Sequence, residues 1–351
     1  MPDEVQLAGV VIVAAASVWA LTPLAIRLAV RTDFYDHPVG YKAHPAPTAY
    51  LGGAAVIAGF LLATATFGDA LSRFWPIVAC ALCLFVIGTL DDRFAVAPTY
   101  RVLAAATAGV TISLAGLGWS FLDSPFEEAV LTGVWVVAFT NAFNLMDNMD
   151  GAAATVGGVC GGGIALVALF EGDTELAAFA LALSGACLAF LRYNLRAGAP
   201  ARIFLGDGGS MPLGFLVAAA AMNVPDETGL GWPMLLVGGL LLGILVLDTL
   251  LVIVSRTRRG VALVTAGRDH LTHRLQIRLG SARRVALVLA LLQGATSILA
   301  LATLNAGRTA ILVSALACLG IGGAVIALLE RPAVTTSRGV EAQDSVVAVR
   351  E

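Results

Sequence analysis

The sequence predicts an all-α fold, a polytopic helical bundle embedded in a membrane, with about eleven transmembrane helices. Three observations carry this. Hydrophobic residues make up 58% of the 351 residues and charged residues only 13%, with a mean hydropathy of +0.88; soluble domains of this length do not show that balance. Apolar runs long enough to cross a ~30 Å hydrocarbon core recur along the chain, separated by short polar clusters. Lys and Arg gather in alternate loops, as orientation in a membrane requires.

The expected spans follow in order. The first covers 5–27; Asp3 and Glu4 stand before it instead of a positive n-region, so it reads as a true span and not a cleaved signal. The next, 50–68, opens on Gly52-Gly53, and 74–90 runs straight into Asp91-Asp92-Arg93. Spans at 101–118, 127–143, 151–170 and 175–191 follow. The run at 211–224 is short and begins inside the preceding loop. The last three are 232–254, 284–304 and 309–329. Residues 1–330 therefore read as a single transmembrane domain, and the polar stretch 331–351 as a disordered cytoplasmic tail. Cys80, Cys83, Cys160, Cys187 and Cys318 all fall inside spans and read as small packing residues.

Orientation follows from the 21 Lys and Arg residues, of which only Arg73 and Arg308 fall on one side. That side carries Asp69, Asp123, Glu127, Glu128, Glu171, Asp173 and Glu175 instead. The basic side is expected to be cytoplasmic, with the N-terminus outside and the C-terminus inside.

Five polar clusters are expected on that cytoplasmic face. Lys42 and His44 lie in the first loop; Lys42 is the only lysine and could meet a phosphate, or be an ordinary positive-inside residue. Asp91 and Asp92 repel each other at a membrane boundary, a burden that a divalent cation or a bound proton relieves. Asn144, Asp147 and Asp150 at i, i+3, i+6 would share a helical face in the tight link between two spans, whereas capping would account for one Asp only. Asp207 stands in Gly206-Asp207-Gly208-Gly209-Ser210, where glycines allow close backbone approach and the helix start favours anions; Arg202 precedes it. His270, His273 and Arg274 make a cationic turn suited to a diphosphate, or to anionic lipid. Asp248 lies deep in a span and should face the bundle interior.

These motifs resemble the polyprenyl-phosphate N-acetylhexosamine-1-phosphate transferase superfamily, which includes bacterial undecaprenyl-phosphate GlcNAc-1-phosphate transferases and phospho-MurNAc-pentapeptide translocase. The resemblance runs from about Asp36 to Leu275 and rests on Lys-x-His-x-x-Pro-Thr with Gly-Gly, Asp-Asp-Arg, Asn-Ala-Phe-Asn-Leu-Met-Asp-x-x-Asp-Gly, Pro-Ala-Arg-Ile-Phe-Leu-Gly-Asp-x-Gly-Ser and His-x-x-His-Arg-Leu. It implies transfer of a sugar-1-phosphate, GlcNAc-1-phosphate before others, from a UDP-sugar to polyprenyl phosphate. The products are UMP and the lipid-linked sugar, at the first membrane step of cell-envelope glycan assembly. It implies Mg²⁺ as cofactor, with Mn²⁺ as a substitute, held by Asp207, Asp92 and Asn144. It gives Asp91, Asp92 and His270 catalytic roles. Substrate contacts fall to Lys42, Asn144, Asp147, Asp150, Arg202, His273 and Arg274. The implied setting is the bacterial plasma membrane, with the active site facing the cytoplasm, membrane lipid around it, a homodimer as the assembly and no nucleic-acid partner. Thr272 stands where the translocase branch carries a histidine, which turns the expectation away from the pentapeptide donor. The competing class is a secondary transporter, which would hold its polar site near the midplane, where only Asp248 lies.

Overall fold

The computed structural model describes residues 4–36, 47–66, 68–263 and 267–330. Lys42, His44 and the tail 331–351 lie outside the described residues. The elements run α1 (Glu4–Thr32), β1 (Tyr35–Asp36), β2 (Thr48–Ala49), α2 (Gly52–Ala65), α3 (Gly68–Phe94), α4 (Pro98–Leu114), α5 (Pro125–Met146), α6 (Ala152–Phe170) and α7 (Thr174–Asn194). Then come α8 (Asp207–Met222), α9 (Met234–Leu241), α10 (Gly243–Arg259), α11 (Leu271–Leu279), α12 (Ala282–Leu304) and α13 (Arg308–Leu329).

The sequence pattern explains which helix sits where. α8 is Gly- and Ala-rich, and every residue from Gly208 to Met222 is buried. It forms the core against α3, α5 and α2. At 16 residues α8 reaches only ~24 Å, too short to cross a bilayer alone, but it faces protein on all sides and needs no match to lipid. α1, α12 and α13 keep rows of exposed Leu, Ile and Val on their outer faces, as helices facing lipid do. Seven described helices are long and apolar enough to cross a membrane, or eight if the bent α9–α10 pair counts as one, where the sequence suggested about eleven. The difference lies in α2, α4 and α8, which are apolar but short.

The expected span 232–254 is broken. α9 and α10 meet at 85°. A helix break strands backbone groups, and in lipid these must find internal partners. Gln293 of α12 supplies them: its amide donates to the Leu241 carbonyl at 2.8 Å and accepts from the Ile244 N–H at 3.0 Å. The break turns α10, with Asp248 upon it, toward the end of the bundle that carries the polar loops.

At that end, β1 and β2 pair antiparallel, Asp36 opposite Thr48, and Ala49 bridges in parallel to Ile203. The Gly52 and Gly53 N–H groups donate to the Phe204 and Leu205 carbonyls at 3.0 and 2.9 Å. The segment before α8 is thus stitched to the start of α2. Gly53 is required there, since a Cβ on it would stand 2.4 Å from Gly209 Cα.

Candidate active site

The site grows out of the turn that opens α8. Gly206 has φ 72° and ψ 173°, a conformation open essentially to glycine alone, and a Cβ there would press on the Asp92 carboxylate. The turn projects free backbone N–H groups, and Asp92 takes two of them: Oδ1 accepts from Asp207 at 2.8 Å and Oδ2 from Gly208 at 3.0 Å. Asp92 therefore caps α8 from the end of α3. Gly88, one turn earlier on α3, permits this, since its Cβ would lie 2.2 Å from the Asp207 carbonyl oxygen.

Asp207 is the hub. Its Oδ1 accepts from the Asn144 amide at 2.7 Å and its Oδ2 from Arg101 Nη1 at 2.6 Å. Arg101 Nη1 also reaches Asp91 Oδ2 at 2.7 Å. One guanidinium thus serves two carboxylates that are themselves within hydrogen-bonding reach of each other. Asn144 donates in addition to Ser210 Oγ at 2.9 Å. The expectation that Asn144, Asp147 and Asp150 share a helical face is corrected. α5 ends at Met146, Asp147 is its C-cap, and Gly151, not an Asp side chain, stands at the N-cap of α6. The three converge because the chain turns. Asp147 accepts from the Gly206 N–H, and Asp150 Oδ2 accepts from the Ala201 N–H at 3.2 Å. Burial first, and then the negative charges of Asp207, Asp92 and Asp150, push the Asp147 carboxyl well above the usual carboxylate range. Asn194 locks the two loops together, accepting from Gly151 N–H at 2.7 Å and donating to the Ile203 carbonyl at 3.0 Å. It is a buried joint of the scaffold.

A cavity of about 600 Å³ opens over this turn. Asp92, Asp147, Asp150 and Asp207 line one side of it, and Arg268, His273 and Gln276 line the other. That volume suits a ligand of nucleotide-sugar size. The His273 imidazole is pushed below its ordinary value by burial first, and then by its neighbours His270 and Arg268, so it faces the cavity as a neutral ring near pH 7. A second, small cavity of about 50 Å³ lies between α4 and α5, bounded by Pro98, Arg101, Val102, Val137, Asn141 and Asn144. Arg101 and Asn144 thus join the apolar side of the bundle to the acidic turn.

Several expected site residues take other positions. His270 does not line the cavity: it is buried, and its Nδ1 lies 2.8 Å from Asp248 Oδ2. The Arg274 guanidinium donates to the Asp269 and Leu329 carbonyls and to Ser255 Oγ, and pairs with Glu330, so it braces α11 instead of reaching the cavity. Arg202 is exposed and stands outside the lining. Asp91 is turned toward Arg101 and away from the main cavity. Arg101 and Tyr50 were not singled out by the motifs. A lone Arg opening an apolar helix is a signal for the first. Tyr50, whose hydroxyl bonds Asp36 at the cavity wall, carried no signal beyond its neighbours Gly52-Gly53.

The acidic turn presents oxygen donors of the kind a divalent cation takes. Among the described residues no group of three or more His, Cys, Asp or Glu side chains is placed to hold a metal ion by itself. The carboxylates gathered on the turn, Asp207 and Asp92 with Asp147 on the Gly206 N–H, offer oxygen only. An all-oxygen set completed by water and phosphate is what Mg²⁺ takes. The crowding of Asp91 against Asp207, relieved by a single Arg, fits a further cation. Asn144 points its NH₂ at Asp207, so its oxygen would serve as a ligand only with the amide turned over.

Residues 74–224 match the model of glycosyl transferase family 4. The chain is 32% identical to the decaprenyl-phosphate N-acetylglucosaminephosphotransferase of Mycolicibacterium smegmatis, over 93% of this chain and 89% of that protein. It is 31% identical to the protein of the same description from Mycobacterium tuberculosis, over 82% and 80%. It is 30% identical to the undecaprenyl-phosphate alpha-N-acetylglucosaminyl 1-phosphate transferase of Escherichia coli, over 77% and 76%. This chain belongs to that family, the multi-pass membrane transferases that move an N-acetylhexosamine-1-phosphate onto a polyprenyl phosphate.

Proposed function

We propose that the protein transfers GlcNAc-1-phosphate from UDP-GlcNAc to polyprenyl phosphate in the bacterial plasma membrane, at its cytoplasmic face, as the first membrane step of an envelope glycan. The observation that carries this is the convergence of Asp92, Asp147 and Asp207 on the Gly206 turn, beneath a cavity walled by Arg268 and His273. The names of the relatives support the sugar and the lipid. The Lys and Arg distribution supports the cytoplasmic placement.

The chemistry joins two anions. An oxygen of the lipid phosphate attacks the phosphorus of the sugar-1-phosphate unit. The bond from that phosphorus to the bridging oxygen breaks, and UMP leaves with the oxygen and the electron pair. Mg²⁺, held by Asp207 and Asp92 with Asn144 or Asp147 beside them, would neutralise charge on the diphosphate when bound. The chain's own residues do the rest. Arg101 meets a lipid phosphate arriving between α4 and α5 and draws it toward Asp207. Asp92 is the carboxylate of the Asp91-Asp92 pair that faces the cavity, and it keeps the attacking phosphate deprotonated. Asp147 and Asp150 line the nucleotide end. His273 and Arg268 face the diphosphate from the far wall. The assembly expected from the family is a homodimer.

Release of UMP by the purified protein, with each substrate and Mg²⁺ omitted in turn, tests the reading. Release that requires UDP-GlcNAc, polyprenyl phosphate and Mg²⁺ together is the expected result. Release from another UDP-sugar alone would overturn the donor, and no release from any would overturn the reaction.

A further inference from the structure

Asp248 is a buried ionisable group that the reaction leaves unused. It sits on α10, one-and-a-half turns beyond the α9–α10 break, and is 3% exposed. An unpaired carboxylate there would be strongly destabilising, so its partners define its purpose. There are two, and both belong to the start of α11. Oδ1 accepts from the Leu271 N–H at 2.6 Å, and Oδ2 faces His270 Nδ1 at 2.8 Å. His270 is the N-cap of α11 and makes no side-chain cap of its own. Asp248 therefore caps α11 from another helix and holds the ring of its N-cap residue in one orientation. The residues on either side of this anchor, Arg268 and His273, are the two cationic or imidazole side chains on the far wall of the cavity.

We infer that Asp248 is a positioning residue for the transfer: through His270 and the Leu271 amide it sets the first turn of α11, and so sets where Arg268 and His273 meet the donor. The inference rests on the reaction proposed above. The other braces act elsewhere. Arg274 ties α11 to Ser255 and to the end of α13, and Thr272 ties it to Asn148. Asp269, the other buried carboxylate there, is paired with Arg256 and Arg259, whereas the two oxygens of Asp248 have two tasks at the start of α11. Asp248→Asn keeps the shape and an acceptor for Leu271, but it presents no anion to His270.

The test uses the full chain in lipid nanodiscs, as wild type, Asp248→Asn, Asp248→Ala, His273→Ala and the Asp248→Asn/His273→Ala pair. UMP release is measured against each substrate. The expected result is a loss of at least about tenfold in kcat/KM for the donor in Asp248→Asn, with KM for the lipid phosphate unchanged and the thermal midpoint kept. The double variant should lose clearly less than the product of the two single losses, because part of the Asp248→Asn effect acts through His273. Wild-type kinetics in Asp248→Asn, or losses that multiply in the pair, would overturn the inference. Hydrogen exchange of the amides at 271–275 supplies a readout free of any substrate. Faster exchange there by about tenfold in Asp248→Asn, with α8 unchanged, is expected, and unchanged exchange would overturn the inference even if the wild type proved to use a different donor.

Discussion

The two walls of the cavity are built by different physics. The α8 wall is held by backbone against backbone: Gly53 on Gly209, Gly88 on the Asp207 carbonyl, Gly52 on the Phe204 carbonyl. The α11 wall is held by side chains reaching across gaps: Asp248 to Leu271 and His270, Thr272 to Asn148, Arg274 to Ser255, and Asp269 to Arg256 and Arg259. Backbone contact without an intervening side chain leaves no slack, since close-packed groups cannot yield by a rotamer change. Side-chain tethers can lengthen, swap partners or be lost one at a time. The acidic turn that must keep its geometry within a fraction of an ångström stands on the first wall. The groups that must fit a substrate stand on the second. Substitutions in the first wall should therefore be all-or-none in effect, and those in the second graded.

The largest effect belongs to Asp207→Ala. It removes the hub carboxylate while leaving the glycine contacts untouched. Turnover should fall by at least about 10³-fold, the scale of losing a principal electrostatic group. The thermal midpoint should hold or rise, because the crowding with Asp91 is relieved and Arg101 keeps one partner. A midpoint that collapses would mean that Asp207 is part of the wall and not only its cargo. Gly88→Ala breaks the wall itself. Its Cβ would stand 2.2 Å from a backbone oxygen that no side-chain rotation can move. A destabilisation of roughly 1–3 kcal/mol or more is expected, read by thermal unfolding in detergent, with activity lost in proportion to the misfolded fraction.

Acid should separate the walls by sign. Asp147, on the α8 side, has its carboxyl pushed up by burial and then by neighbouring negative charges, so between the unfolded value near 4 and its raised folded value the folded state binds a proton that the unfolded state does not. Its contribution is favourable at low pH and is lost as pH rises through the folded value. Asp269, on the α11 side, is held well below the usual carboxylate range by Arg256. Its contribution is complete above about 4 and is lost as pH falls toward the folded value. Unfolding midpoints of Asp147→Asn and Asp269→Asn against wild type test both signs. The advantage of Asp147→Asn should grow as pH rises above about 4, whereas the deficit of Asp269→Asn, about 2–3 kcal/mol at neutral pH, should shrink on acidification. Parallel pH profiles would deny the separation.

The same division governs how much the sequence revealed. Helices were legible because lipid demands long apolar runs, and the acidic turn because carboxylates at a membrane boundary need a reason to be there. Glycine contacts such as Gly88 against the Asp207 carbonyl were not, because they are set by how helices cross and not by any local pattern. The break after Leu241 was hidden because its remedy, Gln293, is 52 residues away. His270, His273 and Arg274 read as one cationic turn, but only His273 and Arg274 lie in α11, and His270 is its extended N-cap. Which of them faces the cavity depends on Asp248, Ser255 and the end of α13, distant elements that fix the rotation of a nine-residue helix.

The smallest effect tests whether that α11 wall is truly graded. Thr272 is fully buried and donates from Oγ1 to Asn148 Oδ1 at 2.5 Å, across the mouth between α11 and the loop that carries Asp147 and Asp150. Thr272→Val keeps the shape and deletes the hydroxyl. One neutral hydrogen bond contributes about 0.5–1.5 kcal/mol, and Asn148 retains enough exposed surface to find water instead. Activity should then fall by less than about tenfold, with the change in KM for the donor and not in kcat. A loss as large as that of Asp207→Ala would show that the bond across the mouth is as rigid a requirement as the glycine contacts, and the distinction between the two walls would fail at the point where they touch.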